Sequence, residues 1–266
     1  MEITVHFAAR AIDAVRSIAT EEILPRYRSV SATRKEDGSL VTEADLAAQR
    51  ALVRRLAEVD AIPVLGEEME ASEQEAILAR GGRFWCVDPL DGTSNFARAI
   101  PFFAVSVALM EDTRPVFGTV YDPIADEAFY AVRGGGAWLN HRPLQVPAHG
   151  PALADAVAEV SLRSDMAALR GAVKSRPPFA KRLTSGSSAL SWCHLAAARI
   201  DVMLHSGQKV WDYAAGALIL EEARGLACTI DSDDFWAAPV WRRSALAART
   251  APLLAAWRDW VRLQAA

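Results

Sequence analysis

Residues 84–93 read Phe84-Trp85-Cys86-Val87-Asp88-Pro89-Leu90-Asp91-Gly92-Thr93. Four apolar residues in succession spell a short buried strand, and that strand runs into an acid. Pro89 has no amide hydrogen and is expected to stop the ladder. Asp91 follows three residues after Asp88, and Gly92-Thr93 then permit a sharp turn. Two carboxylates this close repel each other unless something positive lies between them. A hard divalent cation such as magnesium is a fitting counter-charge, because it prefers carboxylate oxygens. Amides after the turn, near Gly92 and Thr93, are placed to bind an anionic oxygen. The segment therefore reads as metal plus phosphate, with an Asp-Pro turn capped by Asp91 as the purely structural alternative.

Outward from this segment, the pattern is mixed helix and strand. Residues 62–65 form a second apolar strand that ends in Gly66-Glu67-Glu68, and an acid-rich helix is expected over 70–80. Thr42-Glu43-Ala44-Asp45 has the capping-box spelling and opens a helix to about Val59, with Leu46, Leu52, Val53 and Leu56 on its apolar side. Residues 3–24 place Ile3, Phe7, Ala11, Ala14, Val15 and Ile18 at helical spacing, and Pro25 ends that helix. The polar stretch 31–41 carries an Asp37-Gly38 turn signal. Beyond the segment, apolar strands at 102–110, 115–121 and 128–132, then Gly134-Gly135-Gly136 and another strand, predict an antiparallel meander.

After Pro147 the character changes. This predicts an N-terminal half, 1–148, and a C-terminal half, 149–266, packed as one compact unit. Strands are expected at 156–161 and 202–205, and helices at 185–201, 212–224 and 250–264. The basic, proline-containing stretch 163–182 has no assigned element.

The bulk numbers exclude some function classes. The chain has 266 residues, 52% hydrophobic and 23% charged, with a net charge of −4. It shows no basic stripe for a nucleic-acid polymer, and the Arg242-Arg243 pair reads as solvated surface. No stretch approaches the roughly 20 apolar residues of a membrane span. Cys86, Cys193 and Cys228 are odd in number, far apart and in apolar stretches, which predicts buried free thiols and suits a reducing cytoplasm. His194 reads as a packing residue, and His6, His141 and His149 as surface. Trp236, Trp241, Trp257 and Trp260 crowd the C-terminal part, as core or as a subunit contact.

Taken singly, the other acids are bland. Glu67 and Glu68 suit a solvated turn, Asp212 an N-cap, and Asp45 a capping box. Jointly, Glu67, Asp88, Asp91 and Asp212 all sit at the ends of apolar elements, where side chains converge at a sheet edge. That is what a two-metal phosphatase requires.

Four motifs in order then resemble the inositol monophosphatase family, a lithium-sensitive group of metal-dependent phosphatases: VTEAD at 41–45, GEE at 66–68, WCVDPLDGTSNF at 85–96 and WDYAAGALILEEARG at 211–225. The resemblance covers residues 3 to about 248. It implies a layered α/β sandwich of the α+β kind, with an antiparallel N-terminal sheet, a mixed C-terminal sheet and helix layers. It implies two or three Mg2+ ions held by Glu67, Asp88, the Leu90 carbonyl, Asp91 and Asp212. Asp45 and Thr93 would position or activate a water, with Glu67 beside it. Gly92 and Thr93 would hold the phosphate, and Gly186, Ser187 and His205, with Asp91 and Asp212, would complete the substrate site. The implied reaction is hydrolysis of a small alcohol phosphate by activated water, in a homodimer. Lys35 matches a loop position of bacterial relatives.

Departures bear on the substrate. Inositol-specific members carry an acid where this chain has His205, and a histidine can donate as well as accept. GSSALSWC at 186–193 resembles the adenosine-bisphosphate branch, whereas 93–109 resembles the inositol branch. A 3′(2′),5′-bisphosphate nucleotidase and a histidinol-phosphatase are the alternatives on this fold. A haloacid-dehalogenase mechanism is disfavoured, because its two acids lie two residues apart. A non-catalytic binding protein predicts a broken ligand set, and this set is complete.

Overall fold

The structure is a computed structural model that describes residues 3–29, 31–35, 38, 40–237 and 239–265. In chain order the elements are α1 (Val5–Ile18), β1 (Thr33–Arg34), β2 (Leu40–Val41), α2 (Glu43–Val59), β3 (Val64–Gly66), α3 (Ala71–Arg80), β4 (Arg83–Asp91), α4 (Thr93–Ala97), β5 (Ala104–Glu111), β6 (Arg114–Asp122), β7 (Glu127–Val132), β8 (Gly136–Leu139), β9 (Arg142–Leu144), β10 (Val157–Ser161), α5 (Ala167–Ser175), β11 (Lys181–Leu183), α6 (Ser188–Ala196), β12 (Val202–Lys209), α7 (Val210–Glu222), β13 (Leu226–Cys228), β14 (Arg242–Ala248) and α8 (Ala251–Ala265).

These elements stack in five layers. β3 to β9 form a seven-stranded sheet in sequence order, antiparallel throughout except that β3 runs parallel to β4 at one edge. The C-terminal sheet is mixed, in the order β11-β10-β12-β14-β13. Side chains alternate across a strand, so β4 sends Trp85 and Val87 to one face and Phe84 and Cys86 to the other. The first pair packs with Phe7 and Val15 of α1 and Leu52 and Leu56 of α2. The second pair packs with α6 and α7, whose far side meets Met203, Ala245 and Ala247 of the smaller sheet. The outer face of that sheet is covered by Leu169 and Val173 of α5 and Trp257 and Val261 of α8.

The central layer is apolar all round, as a helix between two sheets must be. α7 comes close to the large sheet because residue 118 is glycine, where a Cβ would lie 2.8 Å from the Ala215 Cα. It comes close to α6 because a Cβ on Gly216 would lie 2.5 Å from that of Trp192.

Several expectations need correction. Pro89 does not end the strand: pairing with β5 shifts register between Asp88 and Asp91 and resumes at Asp91, so the proline sits in an irregularity, where strands tolerate it. Asp212 is not the N-cap of α7 but its third helical residue, accepting from the Lys209 amide at 2.8 Å. Leu46 and Val53 are exposed, and alanines 44, 47, 48 and 51 with Leu52 and Leu56 make the buried face of α2. Arg243 is buried, its guanidinium 4.6 Å from the Tyr213 ring centre and 5.0 Å from that of Phe235. The stretch 163–182 contains α5 and the start of β11.

The Thr42 capping box is present, and Pro25 lies in the 3-10 turn Leu24–Arg26 that follows the first helix. Asp37 lies outside the described residues. The three cysteines are buried free thiols. Trp257 is wholly buried, donates to the Met203 carbonyl at 3.0 Å and stacks on Trp260.

Candidate metal and phosphate site

The loops at the ends of β3 and β4 meet the first turns of α2, α4, α6 and α7 at one place. The register shift in β4 lets Asp88 and Asp91 face the same way. One carboxylate oxygen each from Asp88, Asp91 and Asp212 lies within 4.8 Å of the others.

Asp88 is 1% exposed and accepts from the Leu90 amide at 3.0 Å. Asp91 is held on both oxygens by the start of α6: Oδ2 takes the Ser187 hydroxyl and the Ala189 amide at 2.8 Å, and Oδ1 the Ser188 amide at 3.2 Å. Burial, then repulsion from Glu67 and the neighbouring aspartates, pushes the Asp88 and Asp212 carboxyls well up. Burial also raises Asp91, against the bonds from Ser187, Ala189 and Ser188.

Glu67 lies outside the tight trio. Its Oε1 is 3.6 Å from the Lys35 ammonium, which also meets Glu68 at 2.6 Å. Burial raises Glu67 to about 7; Lys35 opposes this, while Glu68, Asp45 and Asp91 add to it. Lys35 is thus a tether between two acids. Asp45 accepts from the Thr42 amide at 2.7 Å and its hydroxyl at 2.5 Å through Oδ2, which leaves Oδ1 for the Thr93 hydroxyl at 2.9 Å. The same hydroxyl lies 3.0 Å from the Leu90 carbonyl.

A divalent cation fits this donor set. Three carboxylates, those of Asp88 and Asp91 buried and that of Asp212 half-buried, offer only acceptor atoms, crowd within 4.8 Å and are all driven toward protonation, a repulsion that a hard cation relieves.

The second half of the molecule closes over this end. Gly92 has φ +95°, and a Cβ there would lie 3.1 Å from the Phe102 carbonyl and 3.3 Å from that of Gly186. Gly186 has φ +85°, and its Cβ would lie 2.9 Å from Asn95 Nδ2. Asn95 joins the halves by donating to the Phe102 and Ser185 carbonyls, both at 2.8 Å. Nothing in the pattern of residues singled out Asn95.

Two clefts meet at Asp91 and Gly186. The open one, of about 370 Å³, is lined by Glu67, Asp88, Asp91, Thr93 and Asp212 and rimmed by Arg34 and Arg98. The smaller, of about 160 Å³, is lined by Glu159, Thr184, Ser187, His205 and Gln208. Sequence reasoning missed Glu159 and Gln208 there. Burial, with help from Arg242, lowers His205 to about 4 and keeps it neutral.

The model of the inositol monophosphatase family matches residues 4–259. The chain belongs to this family. It is 37% identical to "Inositol monophosphatase 2" of Solanum lycopersicum over 218 residues, 79% of this chain and 82% of that protein. It is 40% identical to "Nus factor SuhB" of Haemophilus influenzae over 155 residues, spanning 56% of this chain and 57% of that relative. Its fold matches that of an IMPase from Thermotoga maritima with a TM-score of 0.82 at 25% identity, covering 96% of each chain. Membership supports a phosphatase on this layered α/β fold. No helix among the described residues is long and apolar enough to cross a membrane.

Proposed function

We propose that the chain is a magnesium-dependent phosphomonoesterase that hydrolyses a small alcohol phosphate with water. The observation that carries this is the trio Asp88, Asp91 and Asp212, gathered within 4.8 Å beside the Asp45–Thr93 pair. Glu67 and the Leu90 carbonyl complete the oxygen donors at the rim. Magnesium, when bound by these groups, supplies Lewis acidity that acidifies water and steadies charge on the leaving oxygen.

The rest belongs to the chain. Thr42 fixes Asp45, and Asp45 fixes the Thr93 hydroxyl, so this pair orients a water and carries its proton away. Glu67 lines the same cleft and adds a second carboxylate beside that water. The Gly92 and Thr93 amides hold the phosphoryl oxygens. The water–phosphorus bond forms in line as the ester bond breaks, the leaving alkoxide takes a proton, and no phosphoenzyme forms. The smaller cleft, with Gly186, Ser187 and His205, receives the alcohol.

Phosphate release from phenyl phosphate, inositol 1-phosphate and nucleotide monophosphates tests this, with magnesium against EDTA. Turnover should require the metal. Asp88→Asn keeps an acceptor for the Leu90 amide and removes the charge. Lewis-acid stabilisation is worth several kcal/mol at about 1.4 kcal/mol per tenfold, so this variant should lose about a hundredfold or more in kcat/KM. Full activity in Asp88→Asn, or in EDTA, sinks the proposal.

A further inference from the structure

The smaller cleft contains a buried hydrogen-bond donor with no partner. Gln208 is 0% exposed and lines this cavity. Its amide orientation is fixed chemically: indole Nε1 of Trp192 can only donate, and it donates to Gln208 Oε1 at 3.1 Å. The Nε2 group is therefore the free end, and it has no hydrogen-bond partner among the described residues. A buried amide donor left unpaired costs about 1–3 kcal/mol, so this position favours a ligand that supplies an acceptor.

His205 points to the same chemistry. The Gly207 amide donates to its Nδ1 at 3.3 Å. In a neutral imidazole, an accepting Nδ1 places the proton on Nε2. His205 is thus a donor at Nε2, where a carboxylate would only accept.

The acceptors at this end are partly committed. Glu159 Oε1 takes the Ser185 amide at 2.7 Å and its hydroxyl at 3.0 Å, which leaves Oε2 for one ligand donor, and Asp91 is bound on both oxygens by α6. Ser161 and Thr184 can turn either way. Arg242 stands close enough to His205 to bear on its charge.

We propose that Gln208 and His205 select a phosphomonoester whose alcohol part presents a group that only accepts, a carboxylate or a heteroaromatic ring nitrogen, over a plain polyol phosphate, whose hydroxyls accept but must also place their own hydrogens. The inference rests on the phosphatase reading and names its substrate class. A site of fixed donors discriminates by about tenfold or more against a ligand whose own polar hydrogens it leaves without acceptors.

The test compares kcat/KM for 2-phosphoglycerate, adenosine 2′-monophosphate and inositol 1-phosphate, with magnesium, in wild type, Gln208→Glu and His205→Glu. Gln208→Glu keeps the acceptor for Trp192 and replaces the free donor by an acceptor. Wild type should favour at least one of the first two probes over inositol 1-phosphate by about tenfold or more. The leading probe tells a carboxylate from a ring nitrogen. Either substitution should cut that ratio at least tenfold, and His205→Glu stands in if Gln208→Glu does not fold. A wild type that favours inositol 1-phosphate overturns the inference, as does a ratio unmoved within twofold in the folded variants. A wild type that releases phosphate from no ester, phenyl phosphate included, fails the phosphatase reading instead.

Discussion

Asp91 differs from Asp88 and Asp212 in what holds it. Both of its oxygens accept from the first turn of α6, so its charge also caps a helix. An Asn at 91 must turn an amide N–H toward backbone N–H groups, which removes charge-assisted bonds and leaves a buried donor without an acceptor. Asp91→Asn should lose about 2 kcal/mol or more of stability as well as activity. Asp88→Asn keeps its single backbone bond and removes a repelled carboxylate, so in EDTA it should be at least as stable as wild type. Urea unfolding of both variants in EDTA decides this, and equal losses would mean that Asp91 has no special capping role.

At the level of elements, the central helix pair is the tightest joint. A methyl group on Gly216 would sit 2.5 Å from the Trp192 Cβ, and Trp192 is pinned by its bond to Gln208. Overpacking of this kind costs about 1–3 kcal/mol, so Gly216→Ala should lower the urea midpoint without changing the slope. An unchanged midpoint would show that α6 can move away from α7. What was legible here follows from physical signals. Thr42 announced α2 because capping is local chemistry, and β5 was plain because both of its faces are buried. α5 was not legible: its N-cap, Met166, makes no side-chain hydrogen bond and its surroundings are polar. β14 opens with Arg242-Arg243, a spelling of solvated surface. Arg243 is buried only because α7 and the Phe235–Trp236 turn supply rings against its guanidinium, a tertiary fact with no local trace. Asp88 and Asp91 of DPLDGT do come together, but the strand through Pro89 depends on its pairing with β5, which the segment alone does not contain.

On the scale of the whole molecule, the site exists only where the two sheets are packed together. Glu67, Asp88 and Asp91 leave the large sheet, Asp212 arrives on a helix from the other half, and Asn95 and the Gly92–Gly186 contact lock the halves at that point. One cluster of buried side chains runs from β4 and β5 through α6 and α7 to β12 and β14, so although each half also has a cluster of its own, parting the halves would expose this shared core. Unfolding should therefore be a single transition, and a cation bound between the halves should raise its midpoint. A ligand that binds only the folded chain stabilises it by about 2.7 kcal/mol at a hundred times its Kd. Magnesium should thus raise the Tm of wild type by several degrees and that of Asp88→Asn much less, because the variant lacks one of the three gathered charges. Calorimetry with and without magnesium measures both quantities in one experiment. Two separate transitions would show that the halves fold independently, and an equal magnesium shift in wild type and Asp88→Asn would place the cation away from the trio.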